Sequence, residues 1–334
     1  MKRILFLALF VGASLIAAEL NIYSARHYDA DFQIIKKFEE KTGIKVKHTQ
    51  AKASELIKRM QLEGKNSPAD IFITADVSNL NEAKTSNLLA PVKSKFLEET
   101  IPSHLRDKDN QWFAITKRAR IIAYNKNANT DITKLKNYED LIKEEFKGKI
   151  VMRSATAPYS KTLLASIIAN DGEKKAKEWA KGVLNNLATP PKGGDRDQAR
   201  QVFAGEAEFA IMNTYYIGLL KNSKNEKDRE VGNALGIIFP NQDNRGTHIN
   251  VSGIAMTKSS KNQKEAKAFM EFMLTPEIQQ ILTNINYEFP VRNDVEVSQT
   301  VKDFGTFKED KLPVSDIAKN VKKAVKIYDE VGFR

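Results

Sequence analysis

From Leu20 onward, short apolar runs trade places with longer stretches of helical period, and this rhythm confines the chain to an α/β fold. Leu20–Ser24 reads as a strand, and Asp31–Lys41 carries Phe32, Ile35 and Phe38 on one face before Gly43 stops the helix. Ile44–His48 alternates apolar with basic residues, as an exposed or edge strand does. Ser54 caps a helix that buries Leu56, Ile57 and Met60, and Asp70–Thr74 is the third strand. The β-α-β-α-β order predicts parallel neighbours joined by right-handed crossovers. Further strands are predicted at Phe113–Thr116, Ile121–Tyr124, Lys149–Met152, Phe209–Met212, Gly236–Phe239 and Ile249–Met256. A helix from Gln263 buries Ala266, Phe269, Met270 and Met273, and the next opens on Thr275-Pro276-Glu277, an N-cap, an N1 proline and an acidic first turn. The last helix has Ile317, Val321, Ala324 and Tyr328 on one stripe. With 334 residues there is room for about two domains. No Gly/Ser linker separates them, so the two lobes are expected to share strands and to meet in a cleft at the carboxyl ends of strands.

Residues 1–18 stand apart. Lys2 and Arg3 precede an apolar stretch from Ile4 to Ile16, and Ala17-Ala18 lie before Glu19. This is the pattern of a secretory signal peptide cleaved after Ala18. There is no cysteine at that point to carry a lipid anchor. No later stretch has the ~18–20 uncharged apolar residues of a membrane helix. The expectation is an exported, periplasmic protein without stable membrane insertion of the mature chain. The formal charge of +11 raises nucleic acid as a partner, but the lysines are spread along the helices and form no basic arm, so they read as a solvated face.

The absence of cysteine excludes disulfides, thiolate zinc sites, thiol nucleophiles and cysteine-ligated clusters. P-loop, GxGxxG, HExxH, GxSxG and EF-hand signatures are missing too, and no carboxylate pair is marked out for acid–base catalysis. The chain is therefore not expected to be an enzyme. What stands out is four of the nine tyrosines, all at strand-to-helix turns. Tyr28 follows His27 after the first strand, Tyr159 lies after the strand at 149–152, and Tyr215-Tyr216 follow Phe209–Met212. Capping tyrosines with wetted hydroxyls are common singly. Several at one edge of a cysteine-free chain point instead to a metal.

A phenolate is a hard anionic donor suited to a trivalent ion, which makes Fe³⁺ the natural candidate. Ionising each phenol at pH 7 costs about 4 kcal/mol from a pKa near 10, so strong local positive charge is needed. Four phenolates on Fe³⁺ leave one negative charge, with neutral His27 as a fifth donor. Arg118 and Arg120, beside a crossover between the lobes, are candidates to balance that charge or bind an anion; the alternative is two exposed charges on one face of a strand.

These residues are where the sequence resembles the periplasmic ferric-iron-binding proteins of bacterial ABC importers, transferrin-like solute-binding proteins. The resemblance runs through Tyr23-Ser-Ala-Arg-His27-Tyr28, Ser67-Pro-Ala-Asp70-Ile-Phe-Ile-Thr74, Arg118-Ala-Arg120-Ile-Ile-Ala-Tyr-Asn125, Gly193-Gly194-Asp195, Ile211-Met-Asn213-Thr-Tyr215-Tyr216 and Asn286-Tyr-Glu-Phe-Pro290-Val291. It implies a two-lobed periplasmic solute-binding fold with interleaved lobes and a hinge of two crossover strands. The N-lobe would be residues 19–118 and 246–295, and the C-lobe 119–245 and 296–334. It also implies that His27, Tyr28, Tyr159, Tyr215 and Tyr216 bind Fe³⁺ in the cleft, that a small anion such as carbonate can join Arg118, and that a monomeric receptor delivers iron to an inner-membrane ABC permease. Two departures favour a shell supplied mainly by protein: Ala75 stands where some members place a ligating glutamate, and Asp195 where anion-dependent members place an asparagine. The nearest rival is the same fold binding a polyamine, sugar or phosphonate, with protonated tyrosines as stacking walls. An exported non-haem iron enzyme, which needs two histidines and a carboxylate, is a more distant one.

Overall fold

The computed structural model describes residues 18–334, so the expected signal peptide lies, but for Ala18, outside the described residues. Among the described residues ten strands follow one another as β1 (Glu19–Ser24), β2 (Lys45–Gln50), β3 (Ile71–Thr74), β4 (Leu89–Ala90), β5 (Phe113–Asn125), β6 (Ile150–Val151), β7 (Phe209–Asn213), β8 (Leu235–Ile238), β9 (Ile249–Thr257) and β10 (Phe289–Pro290). Their lateral order is β2-β1-β3-β9-β5-β7-β6, with β4 on β9 and with β8 and β10 on β5. β1 runs parallel to β2 and β3, as the β-α-β-α-β reading requires. β9 then lies antiparallel between β3 and β5.

β5 joins the two halves of the molecule. From Phe113 to Ala119 it pairs with β9, and from Arg120 to Asn125 with β7 and β8. Side chains alternate across it: Ile122 enters the larger apolar cluster, with Phe113, Phe209 and Trp179, while Ala119, Ile121 and Ala123 enter a second one with Met212, Ile217 and Leu220. β7 and β9 are buried at every residue, as expected of strands covered on both faces.

Four local expectations change. Phe113–Thr116 and Ile121–Tyr124 are one strand, because the charges at 117–120 that interrupt the apolar pattern find carboxylates inside the protein: Lys117 with Glu309 at 2.8 Å, Arg118 with Glu288 at 3.7 Å, and Arg120 with Asp195 at 2.7 Å. Ser54 sits inside the helix Ala53–Glu63, whose N-cap is Lys52. Thr275 holds the N-cap position but donates its Oγ1 to the Phe272 carbonyl at 2.9 Å and does not cap the helix. The C-terminal stripe is split at Asn320 into helices Val314–Lys319 and Val321–Val331. Gly43 does end the first helix, with φ at 73° where a side chain would be strained. Among the described residues no helix is long and apolar enough to cross a membrane.

Candidate metal centre

Three helices begin around one cleft, and each contributes a tyrosine from its first turn. Tyr28 is the N-cap residue of the helix Asp29–Thr42, four residues beyond the end of β1 at Ser24. Tyr159 is second in the helix Pro158–Asn186, where Pro158 takes the first position that needs no N–H. Tyr215 and Tyr216 open the helix Thr214–Lys221 straight after β7. All four tyrosines thus stand at helix starts that open on the same cleft.

The hydroxyls converge. Tyr215 Oη lies 3.2 Å from Tyr159 Oη and 3.4 Å from Tyr28 Oη, and the Tyr216 ring packs on that of Tyr215 with centroids 4.2 Å apart. Oxygens bound at about 2.0–2.1 Å to a small hard cation stand about 2.9 Å apart when adjacent. Both separations from Tyr215 exceed that spacing by only a few tenths of an ångström. His27 is exposed, stacked on Tyr28 with centroids 5.4 Å apart, and together with Tyr28, Tyr159, Tyr216, Arg153 and Arg196 it lines a cleft of about 450 Å³. Among the described residues no group of three or more His, Asp or Glu side chains is placed to hold a metal, so an ion bound here depends on phenol oxygen.

Tyr28, Tyr215 and Tyr216 hold their protons firmly. Burial, followed by the neighbouring Tyr159 and Tyr28 oxygens, pushes the Tyr215 phenol well above its ordinary value of 10. Tyr28 is raised by burial and then by Tyr159 and Glu288, and Tyr216 by burial and then by Tyr159 and Asp195. Only a charge stronger than the protons displaced would ionise such a cluster.

Beneath the phenols lies a floor of buried ions. Arg118 is 1% exposed; it donates to Ser252 Oγ at 3.0 Å and to the Ala75 carbonyl, and its guanidinium lies 5.4 Å from the Tyr159 ring centre. Arg120, 2% exposed, pairs with Asp195 and lies 5.9 Å from the same ring. Neither is an exposed strand charge. Asp195 Oδ2 also accepts the Asn213 backbone N–H at 3.0 Å, which fixes the turn that presents Tyr215 and Tyr216. Glu288 stands between Arg26, at 3.1 Å, and Arg118; burial opposes its ionisation, but the two arginines outweigh burial and hold its carboxyl below the ordinary range. Asp76 is buried and engaged, accepting from Ser78 N–H at 2.8 Å and Asn250 Nδ2 at 2.8 Å.

The structure thus brings Tyr28, Tyr159, Tyr215 and Tyr216 together, leaves His27 at the rim, and sets Arg118 and Arg120 under the phenols. Sequence reasoning did not single out Arg26, Arg153 or Glu288. Arg26 lies 4.8 Å from the Tyr28 ring centre, and Arg153 lies 5.4 Å from that of Tyr159. Each of these two arginines precedes its tyrosine by a few residues in the chain, and that adjacency is the only signal the sequence offers.

Residues 66–309 match the family described as bacterial extracellular solute-binding protein. The chain is 40% identical to iron uptake protein A1 of Synechocystis over 316 residues, covering 95% of this chain and 88% of that protein. Among solved structures it is 84% identical to the ferric binding protein from Campylobacter jejuni, with a TM-score of 0.91, covering 94% of this chain and all of that one. It is 41% identical to Trichodesmium FutA in complex with iron and citrate ligands, with a TM-score of 0.91, covering 95% of this chain and all of that one.

Proposed function

The chain belongs to the family of bacterial extracellular solute-binding proteins, and from that membership we propose that it is a periplasmic receptor whose cargo is Fe³⁺, delivered to an inner-membrane ABC permease. The observation that carries this reading is the meeting of the Tyr28, Tyr159 and Tyr215 hydroxyls, Tyr215 standing within 3.4 Å of both others, with Tyr216 packed alongside. Relatives that bear names of ferric binding and iron uptake support it. The four phenolates form the coordination shell, and the His27 imidazole at the rim supplies a fifth donor. The receptor acts as a monomer and performs no chemistry on its cargo.

Charge supports the assignment. Arg26, Arg118 and Arg120 are paired with Asp31, Glu288 and Asp195, and buried Asp76, which caps the helix Val77–Thr85, adds a further negative charge that acts on Arg118. Four phenolates on Fe³⁺ leave one negative charge. Among the described residues no carboxylate is within ion-pair distance of the half-buried Arg153, so that guanidinium, over the Tyr159 ring, is available to the negative charge of the phenolate shell. A small anion such as carbonate, expected beside Arg118, would instead complete the shell at the cleft rim by Arg153 and Arg196, because Arg118 is buried and its guanidinium already donates to Ser252 and Ala75.

The lobes are residues 19–118 with 246–295, and 119–245 with 296–334. Support comes from β5, which exchanges β9 for β7 and β8 at Ala119–Arg120. His27 and Tyr28 belong to one lobe and the other three tyrosines to its partner, so closure about the hinge and capture of the ion are one event. The test is a visible absorption titration of iron-stripped protein with ferric citrate. A phenolate-to-iron charge-transfer band saturating at one iron per chain is expected. An unchanged affinity in the Tyr215→Phe, Tyr216→Phe double variant would overturn the ligand assignment.

A further inference from the structure

Two residues break local rules and face each other. Tyr287 has a φ of 57°, in the left-handed region, directly after Asn286, the C-cap of the helix Pro276–Ile285. That position is ordinarily glycine or asparagine, because a bulky side chain there is strained. Gly218 lies within the short helix Thr214–Lys221, where glycine weakens helical structure. The two irregularities have one cause: a Cβ at Gly218 would stand 2.5 Å from both Cβ and Cγ of Tyr287 and 2.9 Å from Cδ2. The aromatic side chain needs the missing Cβ, and the left-handed turn delivers the ring to it.

The place of this contact gives it a role. Gly218 is on the helix that presents Tyr215 and Tyr216, three and two residues earlier. Tyr287 follows the helix Pro276–Ile285, which packs on the Tyr28 helix Asp29–Thr42. It is held on its other side by buried Glu288 and by Phe289, paired with Lys117 of β5. Tyr287 and Tyr216 pack against the same apolar cluster, the one containing Ile217 and Leu220. We propose that Tyr287 is a positioning residue, a latch seated on Gly218 that holds the Tyr215–Tyr216 helix against the Tyr28 side of the cleft and so governs how long Fe³⁺ is retained. This rests on the ferric reading of the same site.

The test loads wild type, Gly218→Ala, Tyr287→Phe, Tyr287→Gly and the double variant Gly218→Ala/Tyr287→Gly from ferric citrate, then follows loss of the charge-transfer band into excess EDTA. Gly218→Ala and Tyr287→Gly should each release iron roughly tenfold faster, while Tyr287→Phe, which keeps the ring, should behave as wild type. In the Tyr287→Gly background the alanine should add less than about twofold, since the ring it would strike is gone. An alanine effect of equal size in both backgrounds, or a wild-type release rate for Tyr287→Gly, would overturn the latch. A wild type that develops no band would instead overturn the ferric reading. In that case thermal unfolding of the iron-free proteins still decides whether the contact exists, because additive losses for Gly218→Ala and Tyr287→Gly would exclude it. Should Gly218→Ala not fold, the release rates of Tyr287→Gly and Tyr287→Phe decide: a faster glycine variant supports the latch, and equal rates overturn it.

Discussion

Acidification should weaken iron binding with a steepness that counts phenols. Tyr28, Tyr215 and Tyr216 all have pKa values raised above 10, burial being the largest cause for each. They are therefore protonated across the neutral range, and each must shed its proton when it becomes a ligand. A raised pKa means the empty form is the one favoured by protons, so lower pH favours release. Each proton displaced is worth about 1.36 kcal/mol per pH unit, so these three phenols alone give about 4 kcal/mol, roughly a thousandfold in affinity, for every unit of pH. The assay is competition against a chelator whose ferric stability is known at each pH, read from the charge-transfer band on either side of neutrality. Proton release on adding iron to weakly buffered protein gives an independent count. Slopes of about three or more are expected after correction for the chelator, falling by one in Tyr215→Phe. A slope near one would refute the reasoning, because it would mean that the phenols stay protonated and act only as walls.

Tyr215→Phe removes a hydroxyl that touches both Tyr28 and Tyr159, and it should deplete the ferric band while leaving the far-ultraviolet circular dichroism unchanged. Glu288→Gln strips the shared counter-charge from buried Arg26 and Arg118, and urea unfolding of iron-free protein should register a loss of about 3–5 kcal/mol. Burial opposes ionisation of Glu309, but the hydrogen bond from His104 and the charge of Lys117 outweigh it and lower its pKa to about 2. The stability it supplies is thus complete above the ordinary carboxylate value and lost as pH falls toward 2; Glu309→Gln should flatten that part of an acid-unfolding curve. Reducing the bound iron with dithionite should bleach the band and free the metal to a ferrous chelator, since Fe²⁺ matches phenolate less well.

The elements that sequence periodicity describes best are helices with a single apolar stripe. Phe269, Met270 and Met273 fall on the buried face expected of the helix at Gln263, and Leu56, Ile57 and Met60 do the same. The candidate ligands were legible because each sits at a strand end, a position that chain order alone reveals. The floor beneath them was not. Arg120 meets Asp195 across 75 residues and Arg26 meets Glu288 across 262, so nothing local distinguishes these arginines from solvated ones. For the same reason the long strand β5 reads as two short ones until its ion pairs are known. Asn320 divides the final helix although the apolar stripe runs through it, because helical period fixes a face and not the continuity of the backbone.

The pairing of β3 with β9 sets the order in which this chain can be assembled. Ile71 lies opposite Met256 and Thr74 opposite Gly253, so the sheet begun by the first three strands stays incomplete until the last third of the chain has been made. Contacts so distant in sequence close late and slowly. A polypeptide emerging from a ribosome cannot finish its first sheet before β9 has been made. Its open edge at β3 is correspondingly the place where a holding chaperone would have most to protect.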